Sequence, residues 1–216
     1  MSGREDLFRL GSDSMAAEVH ATVVSDYTRY VAKDGDGLDT LREHASGWGY
    51  TRDFLGAVKL SGCDALFTAA CGGGCPLRLE GQTPRRGATV VDLGCGAGHD
   101  AVIASRLVGP NGKVVGIDLT QAMVERAQRN VAKWNVGVEA AKVHFRRACL
   151  DDGTELKGCI EEGTADLCIS NGVFNLCADK AAAFRAAYRV LKPGGRFHLS
   201  DVCRLKDEPS QPQRGS

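Results

Sequence analysis

A chain of 216 residues can bury a full core and suits one domain with an appended N-terminal segment. Lysine plus arginine and aspartate plus glutamate balance at 27 each, so no cationic surplus is available for a nucleic acid or an anionic membrane. No apolar run approaches the ~20 residues of a membrane span; the N-terminus, with Arg4, Glu5 and Asp6, lacks a secretory apolar core; and nine cysteines, an odd number partly inside strand-like runs, read as reduced thiols of a cytoplasmic chain.

Residues 1 to about 45 are polar and weakly periodic, with Ser14 to Val31 fit for a helix or two. Gly49-Tyr50-Thr51 with Phe54, Leu55 and Val58 suggests a short amphipathic helix, and Cys71-Gly-Gly-Gly-Cys75 reads as a loop closed by Pro76. From Thr89 the chain alternates. Strands are predicted over Thr89–Leu93, Lys113–Ile117, Val143–Arg146, Ala165–Ser170 and Arg196–Ser200. Helices are predicted over Asp100–Leu107, Gln121–Trp134 and Lys180–Leu191. Thr120 stands as an N-cap ahead of Met123, Ala127 and Val131, and Pro193-Gly194-Gly195 stops the last helix. Such alternation implies an α/β fold, a Rossmann-like, doubly wound and mostly parallel sheet. The expected organisation is an N-terminal cap over 1–75, a cofactor-binding domain over 76–205 and a disordered polar tail over 206–216.

Val90-Val91-Asp92-Leu93-Gly94-Cys95-Gly96-Ala97-Gly98-His99-Asp100 is the most informative stretch. An apolar run ends in an acid, and a tight glycine turn opens a helix, so the backbone can approach a ligand where a Cβ would collide. The second apolar run, Val114 to Ile117, ends in Asp118, placed to accept ribose hydroxyls. A nicotinamide fingerprint would need glycine at position 99, where His99 stands. Cys71 and Cys75 lack a second close pair, so no metal site is expected. Met123 either lies against a bound nucleoside or fills the core.

With these residues in view, the chain resembles the arsenite S-adenosylmethionine methyltransferases, within the class I methyltransferases. The likeness rests on Asp92 to Asp100, Leu107 to Val114, Gly116-Ile117-Asp118-Leu119-Thr120, Ser170-Asn171-Gly172-Val173-Phe174-Asn175-Leu176, Tyr188 to Gly195 and Ser200-Asp201-Val202. The resemblance implies S-adenosyl-L-methionine as cofactor, held by Asp92, Gly94, Cys95, Gly96, Gly98, Asp118, Leu119, Met123, Leu150 and Asn171, with Asp151 or Asp152 toward the adenine. It implies a small-molecule acceptor, trivalent arsenic in free or thiol-conjugated form, since soft thiolates suit a soft centre. Cys75, in Gly74-Cys75-Pro76, matches a family arsenic ligand, with Cys71 or Cys177 as possible helpers; Gly172 stands where the family has a second cysteine, and no cysteine precedes Cys63. Class I enzymes usually add a two-stranded hairpin beyond strand five, and residues for it are lacking here, so an open edge is expected, with either a homodimer across it or a marginal, aggregation-prone monomer. The alternatives are an O- or C-methyltransferase of the quinone or sterol type, which would not need the Cys75 loop, and a non-catalytic cofactor- or partner-binding chain.

Overall fold

The computed structural model describes residues 3–32, 49–51, 53–54, 74–79, 81–133, 140–152 and 155–203. Five strands form one parallel sheet: β1 (Thr89–Leu93), β2 (Lys113–Asp118), β3 (Lys142–Arg147), β4 (Ala165–Asn171) and β5 (Leu191–Ser200), in the order β3-β2-β1-β4-β5. Helices α1 (Gly3–Ala32), α2 (His99–Val108), α3 (Gln121–Lys133) and α4 (Lys180–Val190) accompany them. The central strands are apolar almost throughout because both their faces are covered. Val90, Leu167 and Ile169 pack with Val102, Ile103, Val124 and Ala127 of α2 and α3. Val91, Leu93 and Cys168 pack on the other face with Ala183, Ala186, Ala187 and Val190 of α4. Each such fully buried Val or Ile side chain stabilises the fold by about 1.5–3 kcal/mol. The edge strand β3 exposes more of its residues, in keeping with Lys142, Arg146 and Arg147.

The chain reverses its direction of travel across the sheet at β1. Strands β2 and β3 lie to one side of it and β4 and β5 to the other, so the C-terminal ends of β1 and β4 flank a crevice. Ligands of open α/β sheets bind at this switch point.

Three elements differ from the sequence reading in extent. The N-terminal pattern forms a single helix, α1, whose Tyr27 packs on Met123 and Ala97. The predicted helix ending at Trp134 is described to Lys133, and Trp134 lies outside the described residues. Strand β5 begins at Leu191, not Arg196, because Leu191 pairs with Ala165 before a bulge intervenes and Arg196 pairs with Leu167. Lys192-Pro193-Gly194-Gly195 fills the bulge: Gly194 has φ +77°, and a Cβ on Gly195 would stand 2.9 Å from the Ala165 carbonyl oxygen. Proline is tolerated there because a bulge at a sheet edge needs no donated N–H.

Among the described residues, no strand pairs with the outer edge of β5, and no helix is long and apolar enough to cross a membrane. The seven described cysteines are all free. The expected tail, 206–216, lies outside the described residues.

Candidate functional site

The glycine loop is fastened to β2 before any side chain is considered. Gly94 and Cys95 both donate their N–H to the Ile117 carbonyl, at 2.7 and 2.9 Å. Gly96 donates to Asp118 Oδ2 at 2.9 Å, and Thr120 donates its N–H to Asp118 Oδ1 at 2.8 Å. Burial raises the Asp118 carboxyl above its ordinary range, opposed by the Thr120 and Gly96 N–H groups. Each carboxylate oxygen has spent one acceptor site and keeps another for a ligand. The glycines are required by position. Gly94 has φ +79°, and a Cβ on it would stand 2.2 Å from a Val173 methyl, while one on Gly98 would meet the Phe145 ring at 2.9 Å. Gly98, at the start of α2, lets the helix close on β3.

Beneath the loop, at the ends of β1 and β4, lies a buried polar cluster drawn from distant parts of the chain. The Tyr50 hydroxyl donates to the Asp100 carboxylate, 2.8 and 3.0 Å from its two oxygens. Asn171 Nδ2 donates to the Tyr50 oxygen at 2.8 Å and lies 3.3 Å from Asp100 Oδ2, as does His99 Nε2. Burial pushes the Asp100 carboxyl up, but the His99 charge and the bonds from His99, Tyr50 and Asn171 prevail and hold it below the ordinary range. Burial pushes the His99 imidazole down, but Asp100 overrides it and the net shift is upward. Asp92, by contrast, is raised, first by burial and then by the Asp100 charge. Asp92 Oδ2 and Asn171 Oδ1 are buried with no hydrogen-bond partner in the described structure. Such buried, unspent acceptors are costly unless a ligand supplies donors.

Asp92, His99, Asp100 and Asn171 of this cluster line an open cavity. Its wall includes Asp92, Gly94, Cys95, Gly96, Asp118, Leu119, Leu150 and Asn171 from the sequence reading, together with Gly172 and Cys177. Met123 is fully buried behind the loop against Ala97 and Tyr27, and Gly98 sits behind the wall at the start of α2. Cys75 is buried beside Tyr50 and does not line the cavity; burial, followed by the Asp100 charge, pushes its thiol up to about 12. Cys71 lies outside the described residues.

Sequence reasoning missed His20, Val23 and Tyr27, which α1 contributes to the wall, and Tyr50 in the buried cluster. No local signal marks them, because α1 is only weakly amphipathic and Tyr50 meets its partners across at least fifty residues of chain. Asp151 was legible only as a nucleoside contact. In the structure it also accepts from the Cys149 thiol at 2.8 Å and lies 3.0 Å from His20 Nε2.

Sheet order, glycine loop and acidic strand tips together define a Rossmann-like fold of the class I methyltransferase type. The methyltransferase-domain family model matches residues 84–214, and the chain belongs to that family. It is 38% identical over 165 residues to the arsenite methyltransferase of Halobacterium salinarum, covering 76% of this chain and 38% of that protein. A crystal structure of an arsenic(III) S-adenosylmethionine methyltransferase from Chlamydomonas reinhardtii superposes with a TM-score of 0.58 at 34% identity, covering 68% of this chain and 48% of the algal chain. The ubiquinone/menaquinone biosynthesis C-methyltransferase of Escherichia coli is 36% identical over 127 residues, covering 58% of this chain and 47% of that enzyme. The chain thus spans less than half the length of these relatives.

Proposed function

We propose that this chain binds S-adenosyl-L-methionine in the crevice above β1 and β4 and transfers its methyl group to trivalent arsenic. The carrying observation is the convergence of unspent acceptors on Asp92, Asn171 and Asp118 at the ends of three adjacent strands, around a glycine loop whose backbone is open to a ligand. These residues fit the cofactor. Asp118 accepts from the ribose hydroxyls with its remaining lone pairs. Asp92 and Asn171 receive donors from the amino-acid end, and Leu119 and Leu150 flank the adenine. A Cβ on Gly96 would meet nothing within 4 Å, which leaves its backbone open to the ligand. When bound, the cofactor supplies an electrophilic sulfonium methyl. The protein contributes alignment and exclusion of water, not acid–base chemistry.

Identity to the arsenite methyltransferase of Halobacterium salinarum extends over 165 residues, against 127 for the quinone-pathway enzyme, and this supports arsenic as the acceptor. Cys75 is the proposed acceptor ligand, carried over from the family resemblance; it lies buried beside Tyr50 and outside the cavity wall, so this role requires the wall to open. Its protonated thiol exchanges with an arsenic–thiol conjugate: a sulfur–arsenic bond forms, another breaks, and the Cys75 proton leaves with the departing thiolate. This route does not require Cys75 to ionise on its own. A cytoplasmic location is supported by the free thiols of the described residues, and pairing of two copies along β5 by an edge that no described strand covers and by the exposed Leu199 and Val202.

Incubation with methyl-labelled cofactor, arsenite and a small thiol tests the function. Labelled methylarsenicals support it; label on a quinol or sterol acceptor but not on arsenic overturns the acceptor assignment.

A further inference from the structure

On the cavity wall, three metal-ligating groups from distant parts of the chain converge. His20 comes from α1, and Cys149 and Asp151 from the segment after β3. Cys149 Sγ lies 3.5 Å from His20 Nε2 and 2.8 Å from Asp151 Oδ1, and His20 Nε2 lies 3.0 Å from the same oxygen. We propose that His20 Nε2, Cys149 Sγ and Asp151 Oδ1 form a binding site for a thiophilic divalent cation of the Zn²⁺ type, which pins α1 to the segment after β3.

The geometry carries this. Zinc–ligand bonds of about 2.3 Å to sulfur and about 2.0–2.1 Å to nitrogen and oxygen place tetrahedral ligands roughly 3.3–3.5 Å apart. The Sγ–Nε2 edge already has that length, and the two edges to Asp151 Oδ1 are hydrogen-bond lengths that must open by roughly 0.3 to 0.7 Å once a cation replaces the shared proton. Nε2 is the nitrogen turned inward; Nδ1 is 3.9 Å from the sulfur. The second oxygen of Asp151 accepts the Asp179 N–H at 3.0 Å, which fixes the carboxylate's orientation as supporting hydrogen bonds do in metal centres. A thiolate, a carboxylate and a neutral imidazole neutralise a dication. The fourth position faces the cavity, whose wall also carries Cys177. The thiolate is the ligand form of cysteine, so cation binding displaces the Cys149 proton to the solvent as the sulfur–metal bond forms.

The site shares its cavity wall with the proposed cofactor, beside Leu150, and its test reads metal binding by the cofactor-free chain and no turnover, so its failure and that of the methyl-transfer reading are distinguishable. The full chain, stripped with chelator and kept reduced by a phosphine, is titrated with Co²⁺. The expected result is saturation at one equivalent with tetrahedral d–d bands and a thiolate-to-cobalt charge-transfer band, both abolished by Zn²⁺. Calorimetry in two buffers of different protonation enthalpy should show release of one proton. Cys149→Ser should remove the charge-transfer band and weaken Co²⁺ binding by about a hundredfold or more, and His20→Ala and Asp151→Asn by at least about tenfold each. Cys159→Ser and Cys203→Ser should titrate like the parent. His20 is a partly exposed helix position, so His20→Ala keeps the test decisive should Cys149→Ser fail to fold. Unchanged Co²⁺ affinity in His20→Ala, or a charge-transfer band that survives Cys149→Ser and disappears in Cys75→Ser, overturns the proposal and leaves the trio as a hydrogen-bonded contact between α1 and the β3 end.

Discussion

The two sides of the crevice are built by different means. The cofactor side is local: one strand, one glycine turn and the tip of the next strand, held by backbone hydrogen bonds from Gly94, Cys95 and Gly96 to Ile117 and Asp118. The side we propose for the acceptor is assembled from afar. Tyr50, Cys75 and Asp100 meet only once the whole sheet has formed, and Gly172 stands where the resemblance to the family would place a thiol. A side made of backbone is hard to alter without losing the fold, whereas a side made of long-range side chains can change acceptor while the cofactor stays.

The largest effect expected on the cofactor side comes from the loop itself. Gly94→Ala places a methyl 2.2 Å from Val173 at a φ of +79°, which combines overpacking with backbone strain, so a loss of about 3 kcal/mol or more is expected. Gly96→Ala, at φ +50° with nothing within 4 Å, should cost only about 1–2 kcal/mol for the left-handed backbone. Urea denaturation of the pair measures the gap. Equal losses would show that Val173 moves aside and that the loop is less tightly built than its packing implies.

Asp118→Ala comes next. Loss of charge-assisted bonds worth about 1.5–3 kcal/mol should weaken S-adenosylhomocysteine binding roughly ten- to hundredfold, read by calorimetry. Unchanged affinity would remove Asp118 from the site, and tighter binding of a nicotinamide dinucleotide by the parent would break the cofactor assignment.

The legibility of the sequence follows the same division. Strands β1 and β2, the loop and Asp118 were readable because strand, turn and helix follow one another within thirty residues and each step has a local chemical signature. The start of β5 was misplaced because Pro-Gly-Gly reads as a break, and nothing local tells that Leu191 pairs with Ala165 before the bulge. Tyr50 and His20 were invisible as site residues because their partners are 50 and 131 residues away, and proximity of that kind is a property of the folded sheet.

Asp151 probes how firmly α1 is held. Burial pushes its carboxyl up, but the Cys149 thiol, the Asp179 N–H and His20 outweigh this and bring it down to about 2. Because the folded value lies below the unfolded one, the stabilisation is present above a pH of about 4 and is lost as pH falls toward about 2, on the order of 2 kcal/mol in all. Thermal unfolding against pH should show that slope in the parent and a flatter profile in Asp151→Asn. Parallel profiles would mean that other carboxylates carry the acid sensitivity.

Gly172→Cys is the mildest and tests the acceptor side directly. Gly172 has φ +69° and donates its N–H to the Ser200 carbonyl at 2.8 Å, so a side chain there must adopt a left-handed backbone within a held turn. The expected cost is about 1 kcal/mol, visible as a small fall in unfolding midpoint. Position 172 lines the cavity beside Val173, so the variant adds a thiol to the wall proposed for the acceptor without altering Asp118. S-adenosylhomocysteine affinity should therefore stay near that of the parent while methylation of arsenite rises. A folded variant with no gain in turnover would show that the thiol missing at this position does not limit the reaction. A variant whose cofactor affinity falls along with its stability would show that the two sides are mechanically coupled through the end of β4, and the separation drawn between them would not hold.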